Sequence, residues 1–204
     1  MRRIILVLAC VASINVTALD FEQDIVSAAH ERTNHTVRYD GAYVAIDYPW
    51  GDVPKKIGVC TDVVIRSYRT LGTDLQRLVH EDMKANFNQY PSRRIWGLTR
   101  PDKNIDHRRV PNLQAFFTRH GQELPVTRNA GDYKSGNLVT WMLPGNLPHI
   151  GIVTETINPA TGNPMIVHNI GNGPELEDML FDYKITGHYK YVPKKYNKCS
   201  QQGC

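Results

Sequence analysis

GDVPKKIGVCTDVVIRSYRTLG (51–72) is the stretch from which the organisation of the chain unfolds. Its first half is rich in turn formers. From Cys60 onward it becomes an amphipathic helical pattern that runs to Leu71 and stops at Gly72, a residue suited to a helix C-cap. The junction falls on Cys60. A helix N-terminus carries unpaired N–H groups and a partial positive charge, so a thiol placed there ionises more readily. The same amides suit the oxyanion of a tetrahedral intermediate.

Upstream, residues 20–33 (DFEQDIVSAAHERT) place Phe21, Ile25, Val26 and Ala29 at helical spacing. Residues 34–58 read as loop with a short apolar stretch from Ala42 to Ile46. Downstream, a helix is expected over 74–85 from a Thr73 or Asp74 cap, and 86–110 is polar and irregular. Pro111 opens another helix, whose Leu113, Phe116 and Phe117 face inward and which ends at Gly121. Beyond it the period changes. GNLVTWML (136–143), HIGIVTET (149–156), MIVHNIG (165–171) and LFDYKITGHYKYV (180–192) read as strands joined by Gly, Pro and Asn turns. Helices followed by an antiparallel sheet define an α+β fold, with one domain expected over 19–204.

The first eighteen residues read as an export signal. Arg2 and Arg3 precede the apolar run Ile4–Ala12, and Val16-Thr17-Ala18 offers small residues for cleavage. The expected location is periplasmic or secreted. A lipoprotein anchored at Cys10 is the less favoured alternative, because only six apolar residues precede that cysteine. No segment is long and apolar enough for a transmembrane helix. Without Arg2 and Arg3 the 24 basic residues become 22 against 20 acidic ones, a balance too mild to argue for nucleic acid.

Removal of the signal leaves Cys60, Cys199 and Cys204. The last two flank the Gly-containing tail CSQQGC and are expected to pair as a disulfide in an oxidising compartment, leaving Cys60 free. An unpaired thiol in an exported protein is either catalytic or an inert buried cysteine.

Acyl transfer needs a nucleophile, a base, and a group that fixes the base's tautomer. Cys60 supplies the first. His149 begins the strand HIGIVTET with Gly151 on the same face, and His168 lies in the next strand, where antiparallel pairing can join the two imidazoles. Asn169 is the alternative third residue, on the opposite strand face. Asp62 either binds a substrate charge or caps the helix. Arg108 and Arg109, in the cluster IDHRR, could clamp a substrate carboxylate, or belong to a solvated loop. Arg66 is expected in a structural ion pair. Cys60 with two histidines could bind zinc in principle, but HExxH and CxxC are absent and a thiol mechanism is preferred; no metal or cofactor is expected.

These motifs resemble the NlpC-type cell-wall peptidases, a papain-like superfamily with Cys, His and a third polar residue in that order. The matching positions are Tyr48 with Gly51, Cys60, His149-Ile150-Gly151-Ile152, and Val167-His168. The runs GDVP, GVCTDVVIR, HIGIV and VHNIG resemble more closely an exported bacterial family described as a domain of unknown function, DUF1287. The resemblance implies a papain-like fold, with N-terminal helices and a nucleophile at a helix start packed on an antiparallel sheet. It implies Cys60 as nucleophile, His149 as base, His168 as orienter, and Tyr48 with Thr61 near the oxyanion or substrate. Where peptidoglycan-cleaving members read D-C-S-G, this chain reads Val59-Cys60-Thr61-Asp62, keeping the hydroxyl and losing the carboxylate before the nucleophile. The expectation is a cysteine hydrolase cleaving an amide in peptidoglycan stem peptides or another envelope substrate. The alternatives are an amidase or acyltransferase on a lipid or protein, and a non-catalytic envelope-binding module.

Overall fold

A computed structural model describes residues 16–194 and 196. The expected leader lies outside the described residues apart from Val16–Ala18, as do Cys10 and the expected Cys199–Cys204 pair.

Four of the helices follow their apolar spacing. Helix α1 (Val16–Arg32) buries Phe21, Ile25, Val26 and Ala29. Helix α2 (Cys60–Thr70) stops where Gly72 takes φ 73°, a left-handed conformation that costs glycine nothing. Helix α3 (Leu75–Asn86) starts at Asp74, whose carboxylate accepts the Arg77 N–H at 3.2 Å, and buries Leu75, Val79 and Met83. A short helix, α4 (Ser92–Trp96), forms inside the segment expected to be irregular. Ser92 is wholly buried there and its hydroxyl donates to Asn112 Oδ1 at 2.9 Å, so a tertiary contact sets this turn. Helix α5 (Val110–His120) carries Pro111 in its first turn and turns Leu113, Phe116 and Phe117 inward.

Strand β1 (Arg38–Tyr39) pairs in parallel with β2 (Ile57–Gly58) just before α2. The other strands are β3 (Gln122–Glu123), β4 (Leu138–Leu143), β5 (Leu147–Ile157), β6 (Pro164–His168), β7 (Glu175–Glu177) and β8 (Lys184–Lys190). They form one antiparallel sheet in the order β3-β8-β4-β5-β6-β7. The α+β expectation therefore holds at the level of helices packed on an antiparallel sheet. Two-residue β1, β2 and β3 and three-residue β7 have no alternating apolar signature and exist through their partners. The strand expected over 180–192 begins only at Lys184, because Leu180 is drawn into a core contact: its carbonyl accepts the buried Trp141 indole N–H at 3.0 Å.

Alternation along β4 and β5 divides the interior. Leu138, Ile150, Ile152 and Val167 face the helices and share a core with Cys60, Val64, Tyr68 and Phe117. Val139, Trp141, Val153 and Ile166 face away, under Tyr133, Met179 and Leu180. Each large side chain taken fully out of water contributes about 1.5–3 kcal/mol, which pins the sheet register from both sides. Among the described residues no helix is long and apolar enough to cross a membrane.

Candidate active site

Cys60 is the first residue of α2 and is 4% exposed. The N–H groups of Ile150 and Thr61 lie against its sulfur and favour the thiolate. The Ile150 contact is a consequence of strand spacing. β5 pairs with β6 only from Ile152↔Val167 onward, so the earlier part of that edge is open to the thiol. One residue before Ile150, His149 is buried on the Trp141 face of the sheet, its ring centroid 6.0 Å from the indole.

His149 and His168 meet across the two strands, with Nε2 of His149 3.0 Å from Nδ1 of His168. Gly151 makes room for this. A Cβ on it would stand 2.5 Å from Ile166 Cγ2 and 3.1 Å from His168 Cβ, so a larger residue would push β6 and its imidazole away. The other nitrogen of His168, Nε2, lies 2.8 Å from Glu177 Oε2 on β7. An ionised carboxylate only accepts, so the network assigns the protons in order. Glu177 takes the His168 Nε2–H, His168 Nδ1 then accepts from His149 Nε2–H, and the lone pair of His149 is left on Nδ1. Nothing in its sequence setting marked Glu177, which sits in a strand defined only by pairing with β6.

Burial dominates the electrostatics. It pushes the Cys60 thiol up to about 11, outweighing the three N–H groups that pull it down, with Asp62 adding to the rise. Burial, followed by the neighbouring His168, pushes His149 down to about 3, and burial pushes His168 down to about 4. At neutral pH the thiol and the two imidazoles all rest uncharged. The expectation of a readily ionised helix-start thiol is thus corrected: desolvation outweighs the helix terminus.

Several predicted site residues have other work. Tyr48 packs edge-on against His80 of α3, with centroids 5.1 Å apart, and Lys103 stands 5.8 Å from its ring. The tyrosine at the thiol is Tyr39 of β1, a 41% exposed residue whose hydroxyl faces the Cys60 sulfur. The only signal for it was its place before a turn-rich segment. Thr61 is fully buried and its hydroxyl donates to the Arg108 carbonyl at 3.1 Å. Asp62 accepts the Val59 N–H at 2.7 Å, half of a capping box, since valine offers no acceptor in return.

Arg108 is no exposed clamp. It meets Asp62 through two bonds, Nε–Oδ1 and Nη2–Oδ2, both 2.9 Å, in a pair almost wholly buried. Its remaining donors reach the Ala42 carbonyl at 3.3 Å and the Asp40 carbonyl at 3.4 Å, tying the Tyr39 loop to the start of α2. A carboxylate buried in the first turn of a helix requires such a partner. Arg109 pairs with Asp106 at 3.3 Å and lies 4.3 Å over the Trp96 ring. Arg66 forms the expected structural ion pair, with Asp52 at 3.0 Å. Asn169 turns away from His149: its Oδ1 accepts the N–H groups of Gly171 at 3.1 Å and Gly173 at 3.3 Å. Among the described residues no group of three or more His, Cys, Asp or Glu side chains converges as a metal site.

The chain is 49% identical over 170 residues to the uncharacterized protein YijF of Escherichia coli (strain K12), covering 83% of this chain and 82% of that protein. The profile of the family described as a domain of unknown function, DUF1287, matches residues 26–191, a span that runs from α1 past β8 and includes Cys60, His149, His168 and Glu177. The chain therefore belongs to the DUF1287 family.

Proposed function

We propose that this protein is an exported, papain-like cysteine hydrolase that cleaves an amide bond, with peptidoglycan stem peptides as the leading substrate. The observation that carries the reading is the histidine relay. His149 is held by His168 at 3.0 Å, and the N–H of its strand neighbour Ile150 lies against the Cys60 sulfur. This mechanism requires the His149 ring, which rests on the Trp141 face, to reach the thiol at the open β5 edge, where Nδ1 takes its proton as sulfur attacks the carbonyl carbon. The C–N bond breaks, the amine leaves with that proton, and water activated by the same nitrogen releases the acyl group from sulfur. In this reading Tyr39 and the N–H groups at the sulfur steady the developing oxyanion. Export and the envelope substrate rest on the N-terminal pattern and on the NlpC-type resemblance.

The depth of the thiol favours a second reading, a non-catalytic envelope-binding module. Turnover of peptidoglycan fragments, abolished by Cys60→Ser in a folded chain, is the expected result for the hydrolase. Fragment binding that survives Cys60→Ser without any turnover would favour the module. Alkylation of Cys60 separates the two more directly. General-base assistance is expected to make labelling near pH 7.5 about 100-fold faster in the wild type than in folded His149→Ala. Equal rates would remove His149 from the reaction.

A further inference from the structure

A cavity of about 350 Å3 lies along the flank of α2, bordered by the end of α1, the loop before β2 and the turn after β6. It touches Val59 and Asp62, but Cys60, His149 and His168 are not among its walls. Its charged walls are Arg32, Lys55, Arg66 and Arg69 against Asp52, with Asp62 already neutralised by Arg108. Asp52 serves two of those cations, Arg66 at 3.0 Å and Arg69 at 2.8 Å. The wall therefore carries an excess of positive charge.

Four buried side-chain nitrogens among the described residues have no hydrogen-bond partner, and three of them belong to residues that line this cavity: Arg32 Nε, Arg69 Nε and Asn169 Nδ2. Asn169 is 1% exposed. Its amide orientation is fixed, because Gly171 and Gly173 both donate to Oδ1, so the atom without a partner is a donor. A buried donor left unpaired costs about 1–3 kcal/mol, and such groups are rare in folded proteins. All three orphans are donors, and they sit in a wall with surplus cations. A ligand that satisfies them must accept hydrogen bonds, and the surplus cations favour one that carries negative charge.

We propose that this cavity binds a small oxyanion, a carboxylate or a phosphate, held by Asn169 Nδ2 and the guanidinium groups of Arg32 and Arg69. The site stands on its own donors and does not depend on the thiol chemistry. Its place against the first turn of α2 and the residue after His168 would let an occupant brace both elements of the candidate active site.

Calorimetric titration of the full-length chain with sodium glutarate, and separately with inorganic phosphate, tests the site. Saturable submillimolar binding of either, weakened by added NaCl, is expected. Preference for glutarate identifies a carboxylate ligand and preference for phosphate a phosphorylated one. Absence of saturation by both overturns the site. Asn169→Asp keeps the acceptors for Gly171 and Gly173, deletes the donor and sets a negative charge against the anion, so it is expected to weaken binding about tenfold or more, as is Arg32→Gln. Undiminished binding in both variants places the anion elsewhere and overturns the assignment. Should either variant fail to fold, a wild-type crystal grown with the bound probe decides. Anion density against Asn169 Nδ2 and Arg69 supports the site, and water alone there rejects it.

Discussion

The two flanks of α2 differ in how their buried polar groups are satisfied. On the flank that meets the sheet and the Tyr39 loop, nearly every group is answered: Asp62 by Arg108 and Val59, Thr61 by the Arg108 carbonyl. On the other flank, Arg32, Arg69 and Asn169 each keep an unpaired donor around a cavity. The difference teaches how to separate frame from site. A saturated buried network holds geometry, whereas unpaired donors of one polarity at a cavity wall point to something that comes from outside.

The sharpest way to break this contrast is Asp62→Ala. It leaves Arg108 charged and buried without its partner, and a loss of about 3–5 kcal/mol in denaturant-unfolding stability is expected. A loss below about 1 kcal/mol, the range of exposed pairs, would mean that the saturated flank is not the frame it looks to be.

Acid tests the neutral relay. His107, His149 and His168 are buried, and burial holds them at about 3, 3 and 4 in the folded chain. An unfolded histidine titrates near 6.5, so between that value and the folded ones the unfolded state binds more protons. Their contribution is complete above about pH 6.5 and falls as pH drops, by about 2 kcal/mol for each histidine at pH 5. Thermal unfolding measured from pH 7.5 to 4.5 should show this slope, and His107→Gln should flatten part of it. A stability independent of pH across that range would contradict a neutral relay.

Glu177→Gln sharpens the relay itself. The side chain of Glu177 is 45% exposed, so stability should barely change. The amide can donate as well as accept, which releases the tautomer of His168. Cys60 alkylation and any turnover are expected to fall about 10- to 100-fold, the scale of a hydrogen bond to a charged group. Unchanged rates would limit the relay to its two histidines. The smallest effect is expected from Tyr39→Phe: about 1 kcal/mol or less in stability and a modest drop in thiol reactivity, read by the same two assays.

Much of the frame was legible in the chain because long amphipathic segments announce their period. The Cys60 helix, the Asp74-capped helix and the Pro111 helix appear within a residue or two of their expected bounds. His149 and His168 could be paired in advance because strand alternation and the Gly151 gap are local features. Tyr39, Glu177 and α4 were not legible. Their segments are two, three and five residues long, too short to show a period, and each is ordered by a distant partner. The pairing of Asp62, expected as a helix cap, with Arg108 was not legible for a related reason. Forty-six residues separate them, and only packing shows that they neutralise one another.

By itself the sequence determined that helices precede an antiparallel sheet, that a cysteine starts a helix, and that two histidines lie on adjoining strands. Those properties follow from periodicity, turn residues and order along the chain. Tertiary structure alone decided which tyrosine touches the thiol, that Glu177 closes the histidine relay, and that burial leaves the thiol and imidazoles neutral. It also decided that Arg108 is spent on Asp62 while Arg32, Arg69 and Asn169 keep donors to spare. Desolvation and hydrogen-bond satisfaction depend on every group within a few ångströms, and neighbours in space are not neighbours in sequence.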